Sequence, residues 1–326
     1  TGAALLAAVT ERAAVSSLAA SLDLPGDAAG RMIGLLMQAR LIEAVDGEGA
    51  PLTAEAEALA QWEFHDLLMH QRSRSERHGG LYGGVFPFLD TIPPLPAVRP
   101  PYCGERVPLF RPAIERLLRD DLTLTDVLER RRSVRAYADV PITVEELGEF
   151  LFRTARVRGV TAADPAQGRL YQTSTRPYPS GGAAYDLEVY LAVERCAGLA
   201  RGLYHYDPCG HALVSLPAGE PEVRALIRDA VRSSGLESPP QVLLILASRF
   251  QRLSWKYRSI AYAVTLKNAG VLYQTMYLVA AAMGLAPCAV GGGDADRFAA
   301  ATGIDPFVES SVGEFLLGSA RCQDQA

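Results

Sequence analysis

The sequence lacks the features that mark zinc-binding and nucleic-acid-binding proteins. Its five cysteines are scattered over 326 residues, and no two of them form a C-x-x-C pair. An odd, dispersed set of cysteines excludes the usual zinc spacing and fits a reducing compartment, so we expect a cytoplasmic protein. The net charge of −5 lacks the basic excess on which phosphate binding depends. Nucleic acid is therefore not expected as the main partner.

Long uninterrupted apolar runs are absent as well. The most apolar stretch, residues 260–293, is broken by three polar residues and a proline: Lys267, Asn268, Gln274 and Pro287. Much of it is alanine and glycine, which drive membrane insertion weakly. We therefore expect a buried core helix here and no membrane span. The first residues, TGAALLAAV, contain no methionine and no basic segment before an apolar core, so no signal peptide is expected.

Residues 1–78 are predicted to form a small module of winged-helix type. VSSLAASLDLPGDAAGRMIGLLMQARLIEAV has the length and apolar spacing of a helix-turn-helix, with the turn at residues 25–27. LIEAVDGEGAPLT then resembles a hairpin wing. Residues 1–60 hold three arginines against eight carboxylates, a balance that would repel DNA. The first interpretation is a packing or dimerisation module, and the second is peptide binding along the wing. DNA binding is the least favoured of the three.

The next segment predicts a helix followed by a linker. QWEFHDLLMHQRSRSERHGG has a helical pattern, and its histidines, His65, His70 and His78, share no helical face. We therefore expect no metal site. TIPPLPAVRPPYCGERVPLFRP is rich in proline, which indicates an extended linker over residues 79–119.

A larger domain is predicted over residues 120–326. ITVEELGEFLFRTARV reads as a helix whose start is fixed by a capping box of Thr143 and Glu146. LEVYLAVE and QVLLILAS are β-rich runs bounded by turn residues. Helices and strands are mixed without a regular βαβ repeat. The pattern predicts an α+β fold in which helices pack on a sheet.

The segment ERRRSVRAY places Arg131, Ser133 and Arg135 at alternate positions just past a predicted helix. In an extended segment these side chains point to the same side. Two guanidinium groups and a hydroxyl that converge in this way form a phosphate clamp. The alternative is a solvated basic helix end, because cations are favourable at a helix C-terminus.

Two glycine-rich segments are candidates for close approach of a flat ligand. In RPYPSGGAAYDLEVYLAV, Ser180 and Gly181 stand in a bare loop whose N–H groups could donate to a ligand. In LAPCAVGGGDADRF, Gly291 and Gly292 follow an apolar run without the spacing of a Walker loop or of G-x-G-x-x-G. An ordinary tight turn is the alternative interpretation for each segment.

Together these motifs resemble the FMN-dependent nitroreductase superfamily. The resemblance rests on R-R-S-x-R after a helix, P-S-G-G before LEVYLAV, and an apolar helix that ends A-A-A-M-G-L. RPYPSGGAAYDLEVYLAV and the lysine-tyrosine pair in SWKY further resemble the SagB-type branch, the azoline dehydrogenases, which oxidise thiazolines and oxazolines in peptides to thiazoles and oxazoles. The resemblance covers residues 120–320, and the N-terminal module and WEFHDLLMHQRSR are similar to longer members of that branch.

The resemblance implies a fold with a central antiparallel or mixed sheet, an FMN cofactor and a homodimer in which two subunits share each flavin site. It assigns the FMN phosphate to Arg131, Ser133 and Arg135, with Arg321 as a looser match. It places Ser180 and Gly181 against the flavin ring and Gly291 and Gly292 near its N5 edge. Gln274 matches a structural position of the long helix.

The pair Lys256 and Tyr257 in SWKYRSIAYA carries the proposed chemistry. Oxidation of an azoline removes a proton and a hydride, so the protein must supply a base. A free tyrosine, with a pKa near about 10, is a poor base at neutral pH. A neighbouring cation lowers that pKa, and a turn or helix entry would let both side chains act together. We expect Tyr257 as base and Lys256 as the group that tunes it or orients the substrate. The alternative is a helix start with a surface tyrosine.

The leading hypothesis is thus a dehydrogenase that aromatises azoline rings in a peptide or carrier-bound intermediate and is reoxidised by O2. Its expected partners are a cyclodehydratase or another assembly-line enzyme. The alternatives are an NAD(P)H-dependent nitro or quinone reductase, which needs no substrate base, and a non-catalytic scaffold of a peptide-modification complex. The fold alone does not choose between them.

Overall fold

The computed structural model describes residues 13–21, 25–39, 41–49, 57–75, 80–236 and 238–321. The chain divides into two compact units, Thr1–Arg77 and His78–Ala326. Over the described part of the chain, no helix is both long enough and apolar enough to span a membrane.

Helices make up most of the described residues of the first unit. Its helices are α1 (Val15–Ser21), α2 (Gly26–Gln38), α3 (Glu57–Ala60) and α4 (Phe64–Arg72). Leu18 of α1 and Ile33 of α2 are buried and belong to one small apolar cluster. The two helices predicted on either side of Pro25 are therefore present, and the predicted helix around residues 61–80 contains α4. The predicted wing, residues 41–53, lies outside the described residues from residue 50 onward.

The second unit is built on a seven-stranded sheet in which every neighbouring pair is antiparallel. The strand order is β10-β11-β8-β5-β6-β7-β2. The strands are β2 (Arg106–Pro108), β5 (Leu187–Val193), β6 (Gly202–Asp207), β7 (Ala212–Ser215), β8 (Val242–Arg249), β10 (Leu285–Val290) and β11 (Glu309–Ser319). Every residue of β5 and β8 is buried, because helices cover both faces of the sheet.

Within the described residues of this unit, seven helices and two short strand pairs surround the sheet. The helices are α5 (Ile114–Asp120), α6 (Leu124–Arg130), α7 (Val144–Ala155), α8 (Glu220–Ser234), α9 (Gln251–Ser254), α10 (Ala261–Ala282) and α11 (Ala295–Thr302). The pairs are β1 (Gly83–Gly84) with β9 (Tyr257–Arg258), and β3 (Gly159–Thr161) with β4 (Thr173–Thr175). Helix α7 begins with the predicted capping box, in which Thr143 and Glu146 satisfy each other's backbone N–H groups.

Two apolar layers enclose the sheet. Phe150 of α7 and Leu272 of α10 belong to the cluster on one face, and Ile227 of α8 and Phe298 of α11 belong to the cluster on the other. The α+β prediction, with a central antiparallel sheet flanked by helices, is confirmed. Residues 79–119, predicted as a linker, contribute β1, β2 and much of α5 to this unit.

Candidate active site

A strained turn lies at the start of the candidate site. Residues 181–183 form one 3-10 turn between β4 and β5, and Gly182 has φ +61°. Ala183 and Tyr185 also have positive φ values, +52° and +45°. Side chains other than glycine rarely adopt this conformation, and such strain is concentrated at functional sites. The turn is therefore held in place by its surroundings, which include Lys256 and Tyr257.

Lys256 and Tyr257 lie between α9 and α10, where Tyr257 enters β9. A Cβ atom placed on Gly182 would lie 2.4 Å from Nζ of Lys256 and 2.5 Å from the hydroxyl of Tyr257. The polar ends of these two sequence neighbours therefore meet at one point above the glycine turn. The change of backbone direction between a helix and a two-residue strand lets adjacent side chains converge, which a continuous strand would prevent.

Tyr171 joins this point from a distant part of the chain. Lys256 Nζ donates a hydrogen bond of 2.7 Å to the Tyr171 hydroxyl. That hydroxyl donates in turn to the carbonyl oxygen of Gly182 at 2.5 Å. Tyr171 is buried, with 8% of its surface exposed, so this hydroxyl is fixed between the ammonium group and the turn.

Three aromatic rings surround the Lys256 ammonium group. Nζ lies 5.0 Å from the ring centre of Tyr171, 5.1 Å from that of Tyr257 and 5.8 Å from that of Phe86. Such rings attract a cation through their π faces. Burial favours the neutral amine, but the Tyr171 hydroxyl and Tyr257 outweigh it, and the pKa of Lys256 is raised above its ordinary value. Lys256 is therefore a fixed positive charge at neutral pH and not a base.

A buried carboxylate orients the other side of the turn. Asp186 is fully buried and accepts hydrogen bonds from Ser248, Thr265 and the Nδ2 atom of Asn268. The Asn268 carbonyl oxygen then accepts from the N–H of Gly181 at 3.0 Å. This N–H is not available to a ligand, contrary to the simplest expectation for the PSGG loop. The carboxamide orientation is fixed because its two ends face opposite partners.

Arg252 ties three segments together beneath Tyr171. Its guanidinium donates to the carbonyl oxygens of Leu95, Gln172 and Ala184 and lies 5.6 Å from the ring centre of Tyr171. Burial and the neighbouring Arg249 lower its pKa to about 10, so it stays charged at neutral pH. A second buried cation thus supports both Tyr171 and the segment that follows the turn.

The basic segment lies along a different part of α10. Tyr277 of α10 hydrogen-bonds Ser133 Oγ at 2.7 Å, accepts the N–H of Ala289 at 2.8 Å, and has the Arg131 guanidinium over its ring at 5.4 Å. Ser133 and Arg135 are exposed on the same side of the extended segment, while Val134 between them is buried. Arg321 donates to the carbonyl oxygen of Tyr137, two residues beyond Arg135. The four predicted phosphate-binding residues therefore lie in one region.

The triple-glycine loop, Gly291–Gly293, lines a separate cavity of about 380 Å³ between α10 and β11. Nothing lies within 4 Å of a Cβ atom placed on Gly291 or Gly292, so the backbone of the loop is open to the cavity. Glu314 is the one charged side chain among the described lining residues. Its carboxyl group is buried, and burial raises its pKa to about 7.

The predicted residues thus fall into two clusters on opposite sides of α10. Asn268 contacts the Gly181 turn, and Tyr277 contacts the basic segment. Nine residues at about 100° each rotate the helix by two and a half turns, which places these two side chains on opposite faces. The chain therefore presents two separate residue clusters. They are named here the lysine-tyrosine half-site, at the Gly182 turn, and the basic half-site, with Arg131, Ser133 and the glycine loop.

Sequence reasoning missed Tyr171, Phe86, Asp186, Asn268 and Glu314. No local motif marks them, because the contacts that give them a role join segments that are distant in the sequence. Within the described ranges, no group of three or more histidine, cysteine, aspartate or glutamate side chains is placed to bind a metal ion.

Comparisons with known proteins identify the family of the chain. The family model described as Nitroreductase family matches residues 128–319, and the model described as Cyanobactin oxidase ThcOx matches residues 1–79. The chain is 30% identical over 188 residues to a nitroreductase homologue, MJ1384, of Methanocaldococcus jannaschii, which covers 58% of this chain and 85% of that protein. It is 34% identical over 138 residues to the microcin B17-processing protein McbC of Escherichia coli, which covers 40% of this chain and 46% of McbC.

Among solved structures, a nitroreductase homologue from Ralstonia eutropha JMP134 has the same fold. It matches with a TM-score of 0.53 at 20% identity, over 70% of this chain and 95% of that one. The sequence match spans less than half of McbC, whereas the Nitroreductase family model covers more than half of the present chain. The predicted superfamily is confirmed, and the chain belongs to the nitroreductase family.

Proposed function

We propose that this protein is an FMN-dependent oxidoreductase that aromatises thiazoline or oxazoline rings to thiazoles or oxazoles in a peptide or carrier-bound intermediate. The observation that carries the proposal is the convergence of Lys256, Tyr257 and Tyr171 on the Gly182 turn. A reductase of nitro or quinone compounds needs no substrate base, so it would have no use for this arrangement. Similarity to McbC, a protein named for microcin B17 processing, supports a peptide substrate.

The residues present fit FMN. Arg131, Ser133, Arg135 and Arg321 supply cations and a hydroxyl in one exposed region, as a phosphate requires. The open backbone at Gly291 and Gly292 leaves room for a flat ring to approach. When bound, FMN supplies the hydride acceptor, and molecular oxygen as terminal acceptor returns it to the oxidised state.

Residues of this chain accept the proton that the reaction releases. Aromatisation removes a hydride from the β-carbon of the azoline and a proton from its α-carbon. The C–H electron pair left at the α-carbon forms the new double bond between these two ring carbons. We assign the proton to the hydroxyl oxygen of Tyr257, which lies at the Gly182 turn. A base in this position contributes about 10²–10⁴-fold to a rate.

Lys256 places a positive charge beside this base. Its ammonium group stays charged and lies 5.1 Å from the centre of the Tyr257 ring. Tyr171 fixes the position of that charge through its hydrogen bond to Nζ. Phe86 and the other rings cover part of the ammonium group, and a lower local dielectric strengthens the electrostatic interaction.

A homodimer would bring the two half-sites together. They lie on opposite faces of α10 in one chain, and an exposed stripe between them includes Lys267, Val271 and Gln274. Val271 is an apolar side chain in this stripe, and it is 36% exposed. Two copies packed along α10 would place the basic half-site of one against the lysine-tyrosine half-site of the other. Each flavin would then be held by both copies.

The N-terminal unit is proposed to hold the peptide substrate or a partner enzyme such as a cyclodehydratase. It contains a cavity of about 700 Å³ lined by leucines, among them Leu41, Leu59 and Leu67. The match of residues 1–79 to the Cyanobactin oxidase ThcOx model supports a role in peptide modification. The acidic charge of residues 1–60 is compatible with a basic peptide and unfavourable for DNA.

Product analysis tests the proposal. The FMN-loaded protein is incubated in air with synthetic peptides that carry one thiazoline or one oxazoline, and the products are examined by mass spectrometry. We expect loss of two hydrogen atoms per ring without NAD(P)H. Reduction of nitro compounds or quinones by NADPH, with the azolines untouched, would make the protein a reductase. Failure to bind flavin would make it a scaffold.

A further inference from the structure

Glu314 occupies an unusual position that the proposed chemistry does not use. It lies on β11, two residues beyond Val312, where the register of β11 with β8 shifts by one residue. Such bulges re-aim side chains and are common beside active sites. The carboxyl group is directed at the glycine loop, since a Cβ atom on Gly293 would lie 2.1 Å from its Oε1 atom. The bulge thus directs a buried carboxyl group to the wall of the cavity.

The cavity offers this carboxyl group no positive partner. The charged and titratable side chains among its described lining residues are Glu314 itself and Tyr273 of α10. Ser311 supplies the one hydrogen bond that favours the carboxylate, and burial outweighs it. A carboxyl group without a cation in such surroundings has acceptor capacity left for a ligand. The remaining lining is apolar or glycine backbone, so a ligand edge that enters here is flat and donates N–H.

The cavity lies on the same side of α10 as the basic segment. Tyr273 lines the cavity, and Tyr277, one helical turn further along, contacts Ser133 and Arg131. A ligand that spans both regions has a phosphate at one end and a flat, N–H-bearing ring at the other. FMN has this composition, because its ring system carries an imide N3–H between two carbonyl groups.

We propose that Glu314 accepts a hydrogen bond from the imide N3–H of the flavin and so fixes the ring in the glycine-walled cavity. Glu314 is then a cofactor-binding residue that belongs to the basic half-site. This inference rests on the FMN part of the proposed function and is independent of the azoline substrate.

The test compares FMN with 3-methyl-FMN, which has no N3–H, as ligands of the apo-protein. Dissociation constants are measured at pH 8, where most of the Glu314 carboxyl group is ionised, by quenching of flavin fluorescence for the wild type, Glu314→Gln and Glu314→Met. Glutamine keeps a carbonyl acceptor, and methionine has a similar volume without one. We expect the wild type to prefer FMN by about tenfold to a hundredfold, the range of a hydrogen bond to a charged group. Glu314→Gln should keep part of this preference, and Glu314→Met should bind the two flavins equally.

Other flavin-binding results overturn the inference. A wild type that binds the two flavins equally places N3–H away from Glu314. A preference that persists in Glu314→Met comes from the bulk of the methyl group. Absence of FMN binding removes both this inference and the proposed function. Azoline turnover that fails while the flavin preference follows Glu314 removes only the proposed substrate. Thermal melting of each variant confirms that it is folded.

Discussion

The ammonium group of Lys256 and the hydroxyl of Tyr171 are joined by a 2.7 Å hydrogen bond across 85 residues of sequence. The same hydroxyl reaches the carbonyl oxygen of Gly182. Tyr171 therefore sets where the positive charge sits relative to the glycine turn and to Tyr257. A lysine that could rotate freely would hold its charge near the Tyr257 hydroxyl for only part of the time.

Removal of the Tyr171 hydroxyl should slow the reaction without affecting flavin binding. We expect Tyr171→Phe to lower kcat about tenfold and to leave KM and FMN affinity nearly unchanged, because the Lys256 charge loses its fixed position but no ligand contact is lost. Tyr206→Phe is the matched control, since the buried Tyr206 hydroxyl bonds His211 Nδ1 at 2.8 Å and contributes to no proposed site. Equal kcat losses in both variants would reduce the role of Tyr171 to fold stability.

Alanine substitutions at Gly182 and Gly168 distinguish the effect of backbone strain from the effect of displacing neighbouring side chains. Both have positive φ, +61° and +73°, but only at Gly182 would a Cβ atom meet other atoms, the ends of Lys256 and Tyr257. Each change to alanine should cost about 1–2 kcal/mol of unfolding free energy. We expect Gly182→Ala to lower kcat about 10²-fold, because displaced catalytic groups lose their geometry. Gly168→Ala should keep full activity.

Denaturant unfolding and steady-state kinetics measure these two quantities for both alanine variants. Full activity in a folded Gly182→Ala protein would show that Lys256 and Tyr257 do not act at this turn.

The proton acceptor is tested at Tyr257 and Lys256 directly. We expect Tyr257→Phe to lower kcat by about 10²–10⁴-fold, the range for general base catalysis. Lys256→Ala should also lower kcat, because the positive charge beside the Tyr257 hydroxyl is lost. The measurement is kcat with a thiazoline peptide. Full turnover in both variants would contradict the assignment.

The proposed dimer surface on α10 is tested by a charge at Val271. We expect Val271→Glu to yield monomers in sedimentation velocity and to lose tightly bound FMN, because two carboxylates would be buried against each other. Leu118→Glu is the control, since Leu118 is 83% exposed on α5, away from the stripe. A dimer that survives Val271→Glu would place the interface elsewhere.

Because of Glu314, we predict that the apo-protein becomes less stable to unfolding as pH rises. The folded state keeps this proton up to about pH 7, whereas the unfolded chain releases it near the ordinary value of 4.5. The folded protein therefore binds more protons between these pH values, so the free energy of unfolding falls as pH rises through this window. The loss contributed by Glu314 is about 3 kcal/mol by pH 8. Urea unfolding at pH 5 and pH 8 should show it in the wild type but not in Glu314→Gln.

The sequence predicted those parts of the fold that depend on local patterns. Thr143 and Glu146 marked the start of α7 because a capping box spans only four residues. The runs LEVYLAV and VLLILASR marked two central strands, since burial on both faces makes a strand continuously apolar. The motifs around Arg131 and Gly181 led to the correct family for the same reason.

Contacts between distant segments could not be predicted in this way. The proline-rich pattern of residues 79–119 indicated a linker, yet Phe86 from this segment covers the Lys256 ammonium group. Asp186 stands in the quoted PSGG segment, but its function depends on Asn268, which lies on α10. Glu314 is a single carboxylate in an apolar strand, and only the cavity around it shows its significance.

The most direct test of the proposed function is the anaerobic absorbance of the FMN-loaded protein. The protein is mixed in separate experiments with a thiazoline-bearing peptide and with NADPH, and the oxidised flavin band is followed over time. We predict that the thiazoline peptide bleaches this band in wild type and far more slowly in Tyr257→Phe. Bleaching by NADPH alone, with no response to the peptide, would contradict the assignment and make Lys256 and Tyr257 part of a helix entry without a catalytic role.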